Sequence, residues 1–420
     1  MRKIAIVGAG QGGLLLGFGL LEMGYDVTLV SDRDAESILH GSLPNTAAIY
    51  ADGLAHEKAL GLNFWDGLAP DCEGMSFDFR GPDGALALSV HGAFLDGPGQ
   101  ALDHRTKFHR WVNEFVRRGG RLHIANLRVE DLDALAAEND LTVVAGGKGP
   151  ITRLFGRDIV RSRHYTPARR LVGAVFTGKR FSSERPWSQV PFCPVRAHVI
   201  SGVGEYFSLP FYAHGRGMCR AILMEAIPGS PMDSGGTITD AEGLTRYIQD
   251  MVRRFSPDEG DLVDDIELVD PKAWLRGSFT PEVRKGTAKL PSGRTVLGLG
   301  DAVVLNDPAG GQGANNANKT AHLYTQCILA HGDQPFDSAW MTSVFEDSWN
   351  AASRYATRFT DAMLREPNSH LLSIIGNASG NPQVARAFAS TFNRPDNLVN
   401  AIRSEQTAND FVQGAMHDAA

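Results

Sequence analysis

A glycine-rich turn close to the N-terminus constrains the fold of this 420-residue chain more than any other feature. Residues 3–7 are mostly apolar and β-branched, as a buried parallel strand requires. The turn at residues 8–13 (GAGQGG) comes next, and the apolar residues 14–23 predict a helix that ends at Gly24. A second strand is predicted at residues 26–30. This order predicts a βαβ unit that binds a dinucleotide.

Each glycine of this turn has a predicted task. Gly8 makes the tight turn out of the strand, Gly10 lets a pyrophosphate approach backbone N–H groups, and Gly13 lets the helix pack closely on the sheet. The positive end of the helix dipole then faces the phosphates. A ribose-binding residue is expected at the end of the second strand, where Ser31 and Asp32 are the candidates. The alternative for Asp32 is to cap a turn.

A second motif near residue 300 separates NAD from FAD as the cofactor. Residues 295–299 predict another buried strand, which is followed by Asp301 and by residues 307–315 (DPAGGQGAN). NAD has no use for a second motif so far along the chain, whereas the longer FAD needs a cradle for its ribityl chain and ring. Asp301 is predicted to bond ribityl hydroxyls, and residues 310–313 to bring backbone N–H groups and a helix N-terminus to the flavin. FAD, bound noncovalently, is therefore the predicted cofactor.

The order of these segments predicts the domain organisation. Short β-rich runs from residue 165 onward, punctuated by Gly and Pro, predict an antiparallel sheet. The predicted fold class is α/β: a Rossmann-type FAD-binding domain (residues 1–164 and 286–330) split by a β-rich substrate-binding domain (residues 165–285). Residues 331–420 are predicted to form a C-terminal helical region whose last dozen residues fray. Ligand chemistry is expected at the boundary between the domains.

Composition argues against several other classes. The net charge of -7, with acids and bases well mixed, argues against nucleic acid and anionic membranes as partners. The four cysteines lie far apart and the histidines form no ligand array, so neither a metal site nor a disulfide is expected. No apolar stretch approaches the roughly 20 residues of a membrane span, and a cytoplasmic location is predicted. The absence of a Gly-x-Ser-x-Gly elbow argues against a hydrolase.

The paired motifs and the split domain resemble flavoprotein monooxygenases of the aromatic hydroxylase fold. Within that group, several stretches resemble the oxygenase subunit of the styrene and indole monooxygenases. The stretches are Val27-Thr28 with Asp32-Arg33, Asn45-Thr46, Asp103 with Arg105, Asp140-Leu141 with Val143-Val144, Gly147-Lys148, Gly298-Leu299-Gly300-Asp301, and Asp307-Pro308 with Gly311-Gln312-Gly313-Ala314-Asn315. Residues 42–44 and 309–310 depart from the family pattern and are expected near the flavin ring, where they bear on the substrate.

The resemblance implies a reaction and its partners. A separate NAD(P)H-dependent flavin reductase supplies reduced FAD, which reacts with O2 to give a C4a-hydroperoxyflavin. The distal oxygen then epoxidises a styrene- or indole-like aromatic alkene in a dry, apolar pocket, with sulfoxidation as a side activity. The expected partners are this reductase, O2 and a small aromatic substrate, and a homodimer is left open. The alternatives are a single-component NAD(P)H-dependent aromatic hydroxylase, a flavin dehydrogenase or oxidase, and a non-catalytic flavin-binding module.

The predicted site follows from the motifs and the resemblance. Asn45 and Gln312 are the predicted catalytic residues, with a loop-holding role as the alternative for Asn45. Arg105 is expected to meet the cofactor's phosphates, and Lys148 is left between a phosphate contact and a solvated loop. The predicted cofactor contacts are Gly8, Gly10, Gly13, Ser31, Asp32, Arg33, Arg105, Asp301, Pro308, Gly311, Gly313, Ala314 and Asn315. The predicted substrate pocket is Leu43, Pro44, Phe207, Leu209, Phe211, Ala309 and Gly310.

Two features of the sequence support the predicted pocket. Phe207, Leu209 and Phe211 alternate as one face of a strand should, with core packing as the alternative for each. Ala309 and Gly310 are expected to leave free volume near the flavin ring, where a substrate bulkier than styrene, indole included, would fit.

Overall fold

The computed structural model describes residues 2–147, 149–181 and 190–417. The strands are β1 (Lys3–Val7), β2 (Asp26–Ser31), β3 (Ala48–Ile49), β4 (Asp71–Cys72), β5 (Gly74–Arg80), β6 (Leu86–Ala93), β7 (Gly99–Ala101), β8 (Arg121–Ile124), β9 (Leu141–Val144), β10 (Arg170–Thr177), β11 (Pro194–Ile200), β12 (Gly204–Ala213), β13 (Gly217–Ala226), β14 (Glu267–Leu268), β15 (Trp274–Gly277), β16 (Glu282–Val283), β17 (Thr287–Lys289), β18 (Thr295–Gly298) and β19 (Val304–Leu305). The helices are α1 (Gln11–Glu22), α2 (Ala35–Leu39), α3 (Ala51–Ala59), α4 (His104–Arg117), α5 (Val129–Glu138), α6 (Ala241–Phe255), α7 (Gln312–His331), α8 (Ser338–Ser348), α9 (Arg354–Leu364), α10 (Ser369–Gly380), α11 (Pro382–Ser390), α12 (Pro395–Ala401) and α13 (Glu405–His417).

A six-stranded central sheet is built around the N-terminal strand. Its order is β17-β18-β9-β1-β2-β8, and all neighbours are parallel except β17 and β18. Its apolar strands are buried on both faces by helices that include α1, α4 and α7, as a parallel sheet requires. The predicted α/β class is confirmed. The chain leaves β1 toward β2 on one side and reaches β9 on the other, which opens a crevice at the carboxyl ends of β1 and β9.

A second, eight-stranded sheet, here called the large sheet, carries the β-rich residues. Its order is β14-β10-β13-β12-β11-β5-β6, with β15 also paired to β10. One face packs against α6 through residues such as Tyr206 and Met224. The opposite face, here called the inner face, carries Leu209 and Phe211 and packs against the C-terminal helices. The β-rich runs predicted after residue 165 are strands β10 to β13.

Two strands of the large sheet come from a part of the chain where they were not foreseen. β5 and β6 lie within residues 1–164, yet β5 pairs in parallel with β11 and antiparallel with β6. Met75, Phe77 and Phe79 alternate along β5 and face the same apolar cluster as Phe211. The predicted domain boundaries stay a prediction, but the inserted sheet extends beyond residues 165–285.

The C-terminal helices cover the inner face of the large sheet. Phe359 of α9 and Phe388 of α11 are buried in the cluster that contains Phe77 of β5. The prediction that the last dozen residues fray is wrong for those described, because α13 continues to His417 and buries Ala408 and Val412. The C-terminal sequence is polar on average, but Ala408 and Val412 are four positions apart and therefore lie on one side of the helix.

None of the helices in the described ranges combines the length and apolar character that a membrane-spanning helix needs.

Candidate cofactor and active site

Three chain segments meet at the carboxyl ends of the central strands. Gly8 follows β1, residues 145–147 follow β9, and Asp301 follows β18. A Cβ atom built on Gly8 would lie 2.6 Å from the backbone nitrogen of Gly146, and one on Gly147 would lie 2.8 Å from Cβ of Asp301. Ligands of open α/β sheets bind in the crevice at this edge. The two predicted cofactor motifs, almost three hundred residues apart, are therefore neighbours.

The geometry of the N-terminal turn fits a dinucleotide. Gly8 has φ +121°, and a Cβ on Gly13 would lie 2.0 Å from the carbonyl oxygen of Gly8, so neither position accepts a side chain easily. A Cβ on Gly10, in contrast, would meet no atom within 4 Å. The space above Gly10 is thus open at the N-terminus of α1, where backbone N–H groups can receive a pyrophosphate. These residues fit the phosphate end of FAD.

The two candidates for the ribose contact, at the end of β2, differ in solvent exposure. Ser31 is buried, and its hydroxyl donates to the backbone oxygen of Arg33 at 2.6 Å. The side chains of Asp32 and Arg33 are 65% and 51% exposed and form an ion pair at 3.5 Å. Ser31 therefore holds its own turn, and the accessible Asp32 is the better placed of the two for a ribose hydroxyl. Both assignments stay predictions.

Arg105 is already bonded to two carboxylates of the protein itself. Its guanidinium donates to both oxygens of Asp103 and to both oxygens of Asp270, with its shortest contacts at 2.6 and 2.7 Å. Burial works to lower the Arg105 pKa, but these two carboxylates outweigh it and raise the pKa. Its geometry ties α4 to the segment before β15. The predicted phosphate contact stays a prediction, and it requires these ion pairs to rearrange.

The segment after β19 leads directly into the longest helix. The carboxylate of Asp307 accepts a bond from Ala309 N at 3.2 Å and caps a 3₁₀ turn at Pro308–Gly310. Gly311 follows with φ +63°, and α7 begins at Gln312. Gly313 and Ala314 lie in the first turn of α7, whose N–H groups lack intrahelical partners.

The amides of Gln312 and Asn315 hold this segment in place. Gln312 Nε2 donates to the carbonyl oxygens of Gly310 and Phe392 at 3.0 and 2.9 Å. The oxygen of Asn315 accepts from Tyr50 N at 2.9 Å, and its Nδ2 donates to the carbonyls of Ala48 and Gly311. Their side chains thus serve the shape of the site, and direct roles for them stay predictions.

Asn45 and Lys148 are two further predicted site residues. The oxygen of Asn45 accepts a bond from Ala47 N at 3.1 Å, the local geometry of a residue that holds its own loop. Lys148 lies outside the described residues.

The predicted substrate pocket is brought together in part. Leu43, Leu209 and Phe211 belong to one buried apolar cluster, and Phe207 packs against it. Pro44 is exposed, and Ala309 is buried.

The expectation that Gly310 leaves free volume is wrong. A Cβ on Gly310 would lie 3.0 Å from Oγ1 of Thr360 and 3.1 Å from Cδ1 of Phe359, so α9 fills that space. Sequence alone could not show this, because α9 is distant along the chain and reaches Gly310 only in the folded protein.

A buried carboxyl cluster beside the Asp307 segment was not foreseen. Glu205 and Glu225 are paired in register on β12 and β13, and Glu225 also contacts Asp307. Arg169 donates to both oxygens of Glu205 at 2.7 and 3.1 Å. Burial raises the pKa of Glu205 to about 7 and raises the pKa values of Glu225 and Asp307. The signal in the sequence was Glu225 directly after the apolar run at residues 221–224.

A second buried polar group lies on the other face of the large sheet. Atoms of Asp78, His198 and Glu259 lie within 4.8 Å of one another, as metal ligands would. Arg196 bonds both carboxylates of this group, and Arg80 also bonds Asp78. These cations balance the negative charge and argue for an ion network. The absence of a metal stays a prediction.

Comparison with known proteins adds independent findings on sequence. Residues 147–261 match the family model described as "Styrene monooxygenase A putative substrate binding domain". The chain is similar to Styrene monooxygenase StyA of Pseudomonas fluorescens, with 29% identity over 412 residues, which is 94% of each protein.

Solved structures show the same fold at lower identity. A flavoprotein/dehydrogenase from Cytophaga hutchinsonii matches with a TM-score of 0.69 and 12% identity, and the match covers 100% of both chains. The Pseudomonas aeruginosa protein pqsL, described as "a probable FAD-dependent monooxygenase", matches with a TM-score of 0.57 and 15% identity over 92% of this chain and 99% of that one.

The site geometry and these relationships agree. The cofactor is FAD, and the enzyme class is flavin-dependent monooxygenase. The edge where the glycine turn and Asp301 meet fits this cofactor. The chain is similar to the oxygenases of the styrene monooxygenase family.

Proposed function

We propose that this chain is the oxygenase half of a two-component enzyme that receives reduced FAD from a separate NAD(P)H-dependent flavin reductase. Its substrate is a neutral styrene- or indole-like aromatic alkene, which it epoxidises, with sulfoxidation as a side activity. The observation that carries the proposal is the similarity to a styrene monooxygenase across 94% of both proteins. Reduced FAD supplies two electrons, so that one oxygen atom of O2 reaches the substrate and the other leaves as water.

The chain's own residues have distinct parts in this proposal. The turn with Gly8, Gly10 and Gly13 receives the pyrophosphate, and Asp32 receives the ribose. Asp301 lies at the same edge and bonds the ribityl chain. The unpaired N–H groups at the start of α7 face the flavin and stabilise negative charge on the reduced ring.

The apolar inner face of the large sheet supports the choice of a neutral substrate. Leu43, Leu209 and Phe211 are at most 5% exposed and share one cluster. Such a wall excludes water from the reaction and offers aromatic contacts. None of the predicted pocket residues is an arginine that would bind a carboxylate. With Gly310 ruled out as a source of space, room for indole rests on Ala309.

The proposal also concerns the compartment and the oligomeric state of the protein. NAD(P)H and a flavin reductase are available in the cytoplasm, which is the proposed compartment. Homodimer formation is left open.

A reconstitution experiment tests the function. The purified protein is mixed with FAD and NADH or NADPH, with and without a generic flavin reductase, and is given styrene, indole, thioanisole and 4-hydroxybenzoate in separate reactions. We expect styrene oxide, indigo and the sulfoxide to form only when the reductase is present.

Each contrary outcome indicates a different class of protein. Turnover without reductase would show a single-component hydroxylase. Hydroxylation of 4-hydroxybenzoate, with the other three compounds unchanged, would place the chain among phenol hydroxylases. Anaerobic bleaching of the bound flavin by a substrate would show a dehydrogenase or oxidase. FAD binding without any product would leave a flavin-binding module.

A further inference from the structure

Three carboxyl groups are buried together where the large sheet meets the segment after β19. Glu225 is 0% exposed, Asp307 2% and Glu205 6%. Glu205 and Glu225 are directly opposite on adjacent antiparallel strands, where two like charges repel. Among the described residues, Arg169 is the cation that bonds this cluster directly, and its guanidinium donates to both oxygens of Glu205 and to the carbonyl oxygen of Ala168. One cation does not balance three ionised carboxylates.

The hydrogen bonding of Glu225 indicates where a proton must be. No N–H or O–H group of the described residues donates to either of its oxygens. The group that it contacts is the carboxyl of Asp307. Two ionised carboxylates cannot bond each other, whereas one proton between them removes the repulsion and forms an O–H···O bond. Asp307 already accepts from Ala309 N, which favours its ionised form and leaves the proton on Glu225.

We propose that Glu225 is a positioning residue, which holds a proton and donates it in a hydrogen bond to Asp307, and that this bond keeps residues 307–311 in the shape that receives the flavin. The inference rests on the proposed placement of the flavin beside these residues. Asp307 caps the 3₁₀ turn that leads through Gly311 into α7. A displacement of Asp307 would therefore move the N–H groups at the start of the helix.

The direction of the pH effect follows from the charges that face Glu225. These are Glu205 on β12, Arg169 before β10, and Asp307. The charge of His164 works to lower the Asp307 pKa. Burial raises the Glu225 pKa well above its usual value. The stability that the protonated group contributes is complete below the pKa of an unfolded glutamate and is lost as pH rises through the folded value. FAD affinity is also expected to fall as pH rises, because an ionised Glu225 repels the carboxylate of Asp307.

Two readouts test the inference in the full-length protein. The first is the infrared band of a protonated carboxyl group in the FAD-free protein at neutral pH. Since Glu205, with a pKa of about 7, adds a band of its own, the readout is a difference spectrum. The band should appear in wild type minus Glu225→Gln and not in wild type minus Glu242→Gln, a control on the exposed side of α6. The second is FAD affinity between pH 6 and 9, measured by equilibrium binding.

The variants should separate a proton-holding role from simple packing. Wild-type Kd for FAD should rise with pH, at most about tenfold per pH unit for one proton. Glu225→Gln, a permanent donor, should bind FAD as the wild type does at pH 6 and show no such rise. Glu225→Ala should bind more weakly at all pH values.

The inference is overturned if the wild type minus Glu225→Gln spectrum lacks the band, or if the pH dependence of FAD affinity is the same in that variant and the wild type. The proposed function is tested apart from it. A protein that shows the band and the pH-dependent binding but oxygenates none of the four compounds would retain the inference and lose the function.

Discussion

Single residues of the glycine turn differ in what they require of the fold and of the cofactor. Gly13 has the carbonyl of Gly8 where its Cβ would be, so it is needed for α1 to pack on β1. Gly10 faces open space, so it is needed only when a ligand approaches. The two positions, three residues apart, therefore allow folding and cofactor binding to be separated.

Gly10→Val should weaken FAD binding about tenfold or more, because the side chain would block at least one charge-assisted hydrogen bond to the pyrophosphate. Its unfolding free energy without FAD should fall by no more than about 1 kcal/mol, since only the N-cap preference of α1 is affected. Gly13→Ala should instead destabilise the FAD-free protein by about 1–3 kcal/mol through overpacking. Equilibrium FAD binding and urea unfolding of both variants check this; equal FAD affinity in Gly10→Val and the wild type would contradict it.

At the scale of elements, a buried ion pair joins the helices around the cofactor domain. Lys107 of α4 donates to Glu57 of α3 at 2.7 Å, and both side chains are at most 3% exposed. Glu57 also accepts from Gln11 at the start of α1 and from Asn318 of α7. Burial lowers the Lys107 pKa, and the Glu57 charge works against that shift. Four helices thus depend on one carboxylate.

Lys107→Met should cost about 3 kcal/mol of unfolding free energy, because it leaves the Glu57 charge buried without its cation. Adding Glu57→Gln should recover most of that loss, since no charge then remains in the site. Lys58→Met, which removes an exposed lysine of α3 paired with Asp66, should cost less than about 1 kcal/mol. Urea unfolding of the three variants decides; equal losses at positions 58 and 107 would refute the role of the buried pair.

At the scale of the whole molecule, the C-terminal helices complete the large sheet. The inner face of β5 and β12 would be exposed to water without α9 and α11. Phe388 of α11 packs on Phe77 of β5 with ring centroids 5.4 Å apart. Gln312 at the start of α7 bonds the carbonyl of Phe392 just after α11, so the same region also touches the cofactor segment.

Phe388→Ala should lower the unfolding free energy by about 3–5 kcal/mol, the usual loss for a phenylalanine in a packed core. Leu372→Ala on α10 is the control, because Leu372 is 53% exposed and its loss should cost less than about 0.5 kcal/mol. Thermal and urea unfolding provide the comparison. A small effect at Phe388 would mean that the C-terminal helices are not part of the cooperative fold.

Much of the architecture could be predicted from contiguous residues. The strand, turn and helix at residues 3–22 could be predicted because apolar periodicity and glycine requirements are local properties. The cofactor followed from two such local patterns at residues 8–13 and 298–315. Short-range chemistry is thus enough to specify an α/β fold and a flavin site.

Only the tertiary structure decided which distant faces meet. Alternation along β5 does not say which sheet it joins, because an apolar strand face fits any apolar partner of suitable shape. Gly310 loses its free volume to α9, and Arg105 finds its carboxylate partners, through contacts between segments far apart in the chain. Glu225 acquires a proton because folding brings it to Asp307 away from water, and burial and repulsion of this kind exist only in the folded protein.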